Sequence, residues 1–127
     1  MKKGLLLATA LLLAPSVYAD STAYKTRIVF DGGLAVNNGS YASADIDLAF
    51  TARFVTAHGW FTTNQGLASP ATGSCFTTTS GGVYCNFQID QLSVNMTIEA
   101  SLSGTASIKA ADGTILSTAP ARLSVAN

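Results

Sequence analysis

Two cysteines, one histidine and a close pair of aspartates are the residues with the most chemical potential in this sequence. Cys75 and Cys85 enclose the segment Phe76 to Tyr84. If the two stand opposite each other on antiparallel strands, Phe76 faces Tyr84 and Thr77 faces Val83. A Thr79-Ser80-Gly81 loop then puts Gly81 where a three-residue hairpin needs left-handed backbone. A disulfide at this spacing closes a short loop, a contribution of about 2–3 kcal/mol in the chain-entropy model. The spacing is not the Cys-x-x-Cys of a redox pair, and two cysteines with one histidine fall short of a zinc site. The reading is therefore a structural staple, with the polar tip Thr77 to Gly82 as a surface that could touch a partner.

His58 is the single histidine. Serines are plentiful, but no Gly-x-Ser-x-Gly elbow or other nucleophile context accompanies it. Asp45 and Asp47 fall on one face of an extended segment, about 7 Å apart at Cα. Such a pair could serve calcium or glycoside hydrolysis, yet no further motif supports either. They read as solvated surface charges. No catalytic residue, metal or cofactor is expected, and the protein is read as a non-enzyme. Trp60, Phe61, Tyr41 and Tyr84 could form a sugar-stacking platform, and Thr78, Ser80, Tyr84 and Trp60 are the candidate contacts to a partner.

The elements that would position these groups are strands. From Leu92 to Leu102, apolar Leu92, Val94, Met96, Ile98, Ala100 and Leu102 alternate with Ser93, Asn95, Thr97, Glu99 and Ser101. That period of two marks a strand with one buried face. Val83 to Ile89 repeats it, and Tyr24, Ile28 and Phe30 share a face interrupted by Thr26. Ser43 to Val55 satisfies two patterns, because Ile46, Phe50 and Phe54 also lie at helical spacing behind a Ser43 cap. Period two favours the strand, and the helix stays as an alternative. Asn38-Gly39 and Asp112-Gly113 read as tight hairpin turns, and Asn64 to Ser74 as the longest surface loop. Many short strands without alternating helices predict an all-β fold, specifically an antiparallel β-sandwich (Ig-like or jelly-roll-like) with one disulfide-stapled hairpin.

Lys2 and Lys3, an apolar run from Leu5 to Ala14, and Val17-Tyr18-Ala19 form the pattern of a cleaved secretory signal over residues 1–19. Residues 20–127 then make one domain, placed in the periplasm, at the cell surface or outside the cell, where a disulfide persists. No membrane insertion is expected after cleavage. The whole chain holds seven basic and seven acidic residues, and removing the two signal lysines leaves five against seven, a net charge of −2. Nucleic acid needs a clustered basic footprint that this chain lacks. Charged residues are only 11% of the chain, against about 25% in an average globular protein. The Lys-Lys signal reads as bacterial, so the sequons at Asn38 and Asn95 are treated as incidental.

Secretion, strand patterning and hydroxyl-rich faces point to a structural or adhesive bacterial surface protein. It would be a fimbrial or biofilm-matrix subunit, self-assembling through edge strands at Asp20 to Phe30 and Ala121 to Ala126. Gly113 stands at a distance from the C-terminus similar to that in chaperone–usher pilins. Ala126, however, occupies the place where those proteins usually carry Tyr, so no family assignment follows. The alternative reading is a monomeric periplasmic or extracellular module that binds a glycan, a small ligand or a protein.

Overall fold

The computed structural model describes residues 22–36, 39–50 and 55–126. The secretory-signal pattern and residues Asn38, Thr51, Arg53 and Phe54 lie outside them. Eight strands follow in chain order: β1 Thr22–Val36, β2 Gly39–Phe50, β3 Val55–Thr63, β4 Ala68–Thr77, β5 Val83–Ile89, β6 Leu92–Ile98, β7 Ser103–Lys109 and β8 Ile115–Ala126. Each pairs antiparallel with its sequence neighbour, and β1 also pairs with β8. The result is a closed up-and-down barrel. This corrects the expected sandwich.

The two architectures share their local signals, namely alternation, short turns and one apolar face per strand. They differ in whether the terminal strands meet. Here they do, in a ladder from Lys25 opposite Ala126 to Phe30 opposite Ala121. Of the segments expected to be free edges, Lys25 to Phe30 and Ala121 to Ala126 thus satisfy each other, while Asp20 and Ser21 lie outside the described residues. The ladder ends for a physical reason. Leu123 donates its N–H to Leu102 on the β7 side, so alternation turns the nitrogen of residue 120 towards β1. Pro120 has no N–H to give there. Just beyond, β1 carries a bulge between Val29 and Leu34 that includes Gly32 and Gly33, both at positive φ. Asp31 on this bulge grips Arg122 through two contacts of 2.8 and 3.3 Å, and Ser117 Oγ accepts the Ala35 N–H at 2.8 Å.

Ser43 to Phe50 lies within strand β2, as period two favoured, and the helix alternative fails for these residues. The expected loop from Asn64 to Ser74 is corrected: only Asn64–Leu67 turns, and β4 begins at Ala68. Pro70 and Gly73 suggested a loop, yet both stand inside the strand. An added Cβ on Gly73 would overlap the carbonyl oxygen of Asn86, and Gly59 and Gly104 stand equally close to Asp45 and Thr97. These glycines mark the tight corners of a small barrel, where one backbone fills the place of another's side chain.

Four hairpins use one device, a turn closed by paired backbone hydrogen bonds with a left-handed residue before re-entry. Thr63 to Leu67, Thr78 to Gly82, Glu99 to Ser103 and Ala110 to Thr114 each show it. The left-handed residue is Gly66, Gly81 and Gly113 in three of them and Leu102 in the other, at φ 71°. A branched side chain pays about 1–2 kcal/mol for that conformation. Leu102 is nonetheless buried, plugging one end of the barrel interior. Burial of a leucine side chain returns about 1.5–3 kcal/mol. Leu102→Gly should therefore lower stability by about 1 kcal/mol in urea denaturation, although turn chemistry alone calls for glycine. A gain in stability would show that the plug contributes less than the backbone strain.

The interior is filled rather than hollow. Phe61 is its hub, with ring centroids 5.6 Å from Phe30, 5.7 Å from Tyr41 and 5.5 Å from Phe87. Small inward residues on β3–β4 (Ala57, Ala71) and β7–β8 (Ala106, Ala119, Ala121) leave room for these rings. Thr26 is the one buried polar residue among those described, and its hydroxyl donates to the Ile46 carbonyl at 2.8 Å. Charged side chains such as Lys25, Arg27, Asp45 and Asp47 stand outside. This arrangement is the inverse of a lipid-facing barrel, which turns its apolar band outward.

Candidate functional site

A filled barrel leaves its ends and outer wall for binding. The up-and-down order brings the end of β1, the start of β2, the β3–β4 and β5–β6 turns and the start of β8 to one end, and there a recess of about 640 Å³ opens. Tyr41 lies at its base, buried and edge-on to Phe61. Val36, Leu67, Leu92 and Leu116 supply apolar wall, while Thr63, Asn64, Gln65, Ser69, Asp90 and Gln91 supply polar groups.

The local sequence fixes this rim. Thr63 Oγ1 accepts the N–H groups of Gln65 and Leu67 at 3.3 and 3.1 Å, and the Asn64 N–H reaches the Ser40 carbonyl at 2.9 Å. The β3–β4 turn is thereby tied to β2. Asp90 adopts φ 53° in the two-residue connection between Ile89 and Leu92, and its carbonyl accepts from Gln88 Nε2 at 3.0 Å. Leu67, in the β3–β4 turn, and Ile115, the first residue of β8, are 66% and 58% exposed at this end of the barrel. Asp112, in the β7–β8 turn, accepts the Thr114 N–H at 2.9 Å, and this bond holds its carboxyl below the usual aspartate range. Among the described residues Asp90 is the one carboxylate in the recess wall.

The groups singled out from sequence are distributed elsewhere. Asp45 is engaged by Arg27 at 3.0 and 3.3 Å, and Asp47 stands 3.7 Å from Lys25 Nζ and 4.0 Å from His58 Nε2. The Arg27–Asp45 and Lys25–Asp47 contacts are exposed cross-strand ion pairs, an arrangement worth little to stability individually. Among the described residues no three His, Cys, Asp or Glu side chains converge as a metal site.

The four aromatics do not form one platform. Trp60 and Phe61 are successive residues on β3, so they point to opposite faces. Tyr41 and Phe61 are in the core, while Trp60 is exposed on the outer wall beside Asp45 and Pro70. Tyr84 is also outside, stacked on Phe76 at 5.3 Å with its hydroxyl accepting from Asn95 Nδ2 at 3.0 Å. Thr78 and Ser80 sit in the β4–β5 turn at the end opposite the recess. Thr78 Oγ1 accepts the Gly82 N–H there at 3.0 Å and lies 3.1 Å from Ser80 Oγ. Sequence reasoning missed the recess, because its walls come from two turns and several strand ends far apart in the chain and carry no shared motif.

The disulfide is present as the spacing required. Cys75 faces Cys85 with Cα atoms 4.1 Å apart, Phe76 faces Tyr84, and Gly81 takes φ 90°. Both cysteines point into the core, and the bond is consistent with an oxidising extracellular or periplasmic location. Comparison with protein-family models, curated proteins and solved structures returned no match. The double substitution Cys75→Ala with Cys85→Ala should cost about 2–3 kcal/mol of unfolding free energy in urea. A loss well under 1 kcal/mol would mean that the β4–β5 ladder holds the hairpin without the bond.

Proposed function

We propose that this protein is an extracytoplasmic, non-catalytic binding module that takes a small amphiphilic ligand at the barrel mouth. The recess carries this reading. Barrel mouths are a preferred location for ligand sites, and 640 Å³ falls within the usual size range of such sites. The apolar part of the ligand rests against Leu92, Leu116 and Leu67, while its polar part meets the amides of Asn64, Gln65 and Gln91. The closed scaffold pre-organises these groups, which lowers the ordering cost of binding. Assembly through edge strands draws less support, because each described strand has a ladder on both flanks.

The test uses the fluorescence of N-phenyl-1-naphthylamine with the secreted protein, followed by displacement with alkyl glycosides. Saturable enhancement and displacement are expected. Leu116→Arg should weaken dye binding at least about tenfold, through lost apolar contact and a buried charge, while Arg27→Ala on the outer wall should leave it unchanged. Absence of saturable binding, or full binding by Leu116→Arg, would reject the mouth as the site.

A further inference from the structure

The outer wall is divided electrically. Lys25, Arg27, Asp45, Asp47 and His58 stand on β1, β2 and β3. Strands β4, β5 and β6 carry no charged residue at all. Their outward positions hold hydroxyls and amides instead. Ser74, Asn86 and Asn95 form one cross-strand row, with Phe76 and Tyr84 in the next. Phe76 is 57% exposed, yet it is held flat against Tyr84 with an interplanar angle of 24°. The Asn95 amide fixes the Tyr84 hydroxyl.

We propose that this uncharged outer face of β4–β6 is a second binding surface, for a neutral polysaccharide. Sugar hydroxyls both donate and accept, as do the Asn86 and Gln88 amides and the Ser74 hydroxyl. The apolar C–H face of a pyranose ring rests on Phe76, whose stacking partner sets its orientation before binding. The three strands are internal to the sheet, so the row of polar groups is rigid and loses little freedom on contact. Charge selects the occupant. Among the described residues an anionic polymer finds no cation on this face, and the face lacks the Arg and the wider aromatic cluster that typify protein interfaces.

The experiment is affinity electrophoresis of the secreted protein in native gels cast with soluble β-glucan, xyloglucan, dextran or galactomannan, with alginate as the anionic contrast. Retardation is expected in at least one neutral gel and absent in alginate. Phe76→Ala and Asn86→Ala should each weaken it by about fivefold with unchanged circular dichroism, and Lys25→Ala should not alter it. No retardation in any neutral gel, equal retardation in alginate, or retention that survives both substitutions would overturn the proposal. So would saturable capture of a protein on this face in place of a glycan. Dye binding at the mouth is unaffected by any of these outcomes, so the two sites stand or fall separately.

Discussion

The pairing of β1 with β8 is the contact on which the rest of the structure depends. Six residue pairs, from Lys25–Ala126 to Phe30–Ala121, convert a meander of eight strands into a tube. With that ladder in place, each strand has one face turned inward and one outward. Without it, two strand edges and one side of the aromatic core would meet water. The ladder also joins distant parts of the chain. It must overcome the closure entropy of nearly the whole domain, so it is expected to form after the local hairpins.

Closure in turn sets what the interior can do. Phe61 touches Phe30, Tyr41 and Phe87, and alanines on the flanking strands give those rings space. Among the described residues these side chains occupy the interior, and the recess lies at the rim. Tyr41 connects the two regions: it packs on Phe61 from above and forms the base of the recess. Closure also leaves every described strand paired on both flanks, so no strand needs charged side chains to ward off other edges, and β4–β6 carry hydroxyls and amides on their outer faces.

Much of the local structure was legible in the residues. The Val83 to Ile89 alternation is strand β5, and the Leu92 to Leu102 alternation is strand β6 only as far as Ile98, because Glu99 to Ser103 forms the next turn; the apolar members of both strands belong to or pack against the core. The cysteine hairpin was readable down to its register and its left-handed Gly81, because sequence separation alone restricts a short disulfide loop. Other features defeated local rules. Pro70 and Gly73 read as loop because a single strand gives no sign that a barrel corner needs a missing side chain. Leu102 occupies a glycine position because burial outweighs backbone strain. Lys25 meets Asp47, and Arg27 meets Asp45, only through a bulge that shifts the β1–β2 register between Val29 and Leu34.

The sequence by itself thus determined an all-β chain, the inward face of most strands, and the Cys75–Cys85 staple. Each of these rests on interactions among residues close in the chain, or on a period of two that any sheet must obey. The tertiary structure alone decided that the sheet closes, and that turns and strand ends distant in the chain share a mouth. Those outcomes depend on the meeting of β1 and β8 across the whole domain, and no local pattern records which distant edges will satisfy each other's hydrogen bonds.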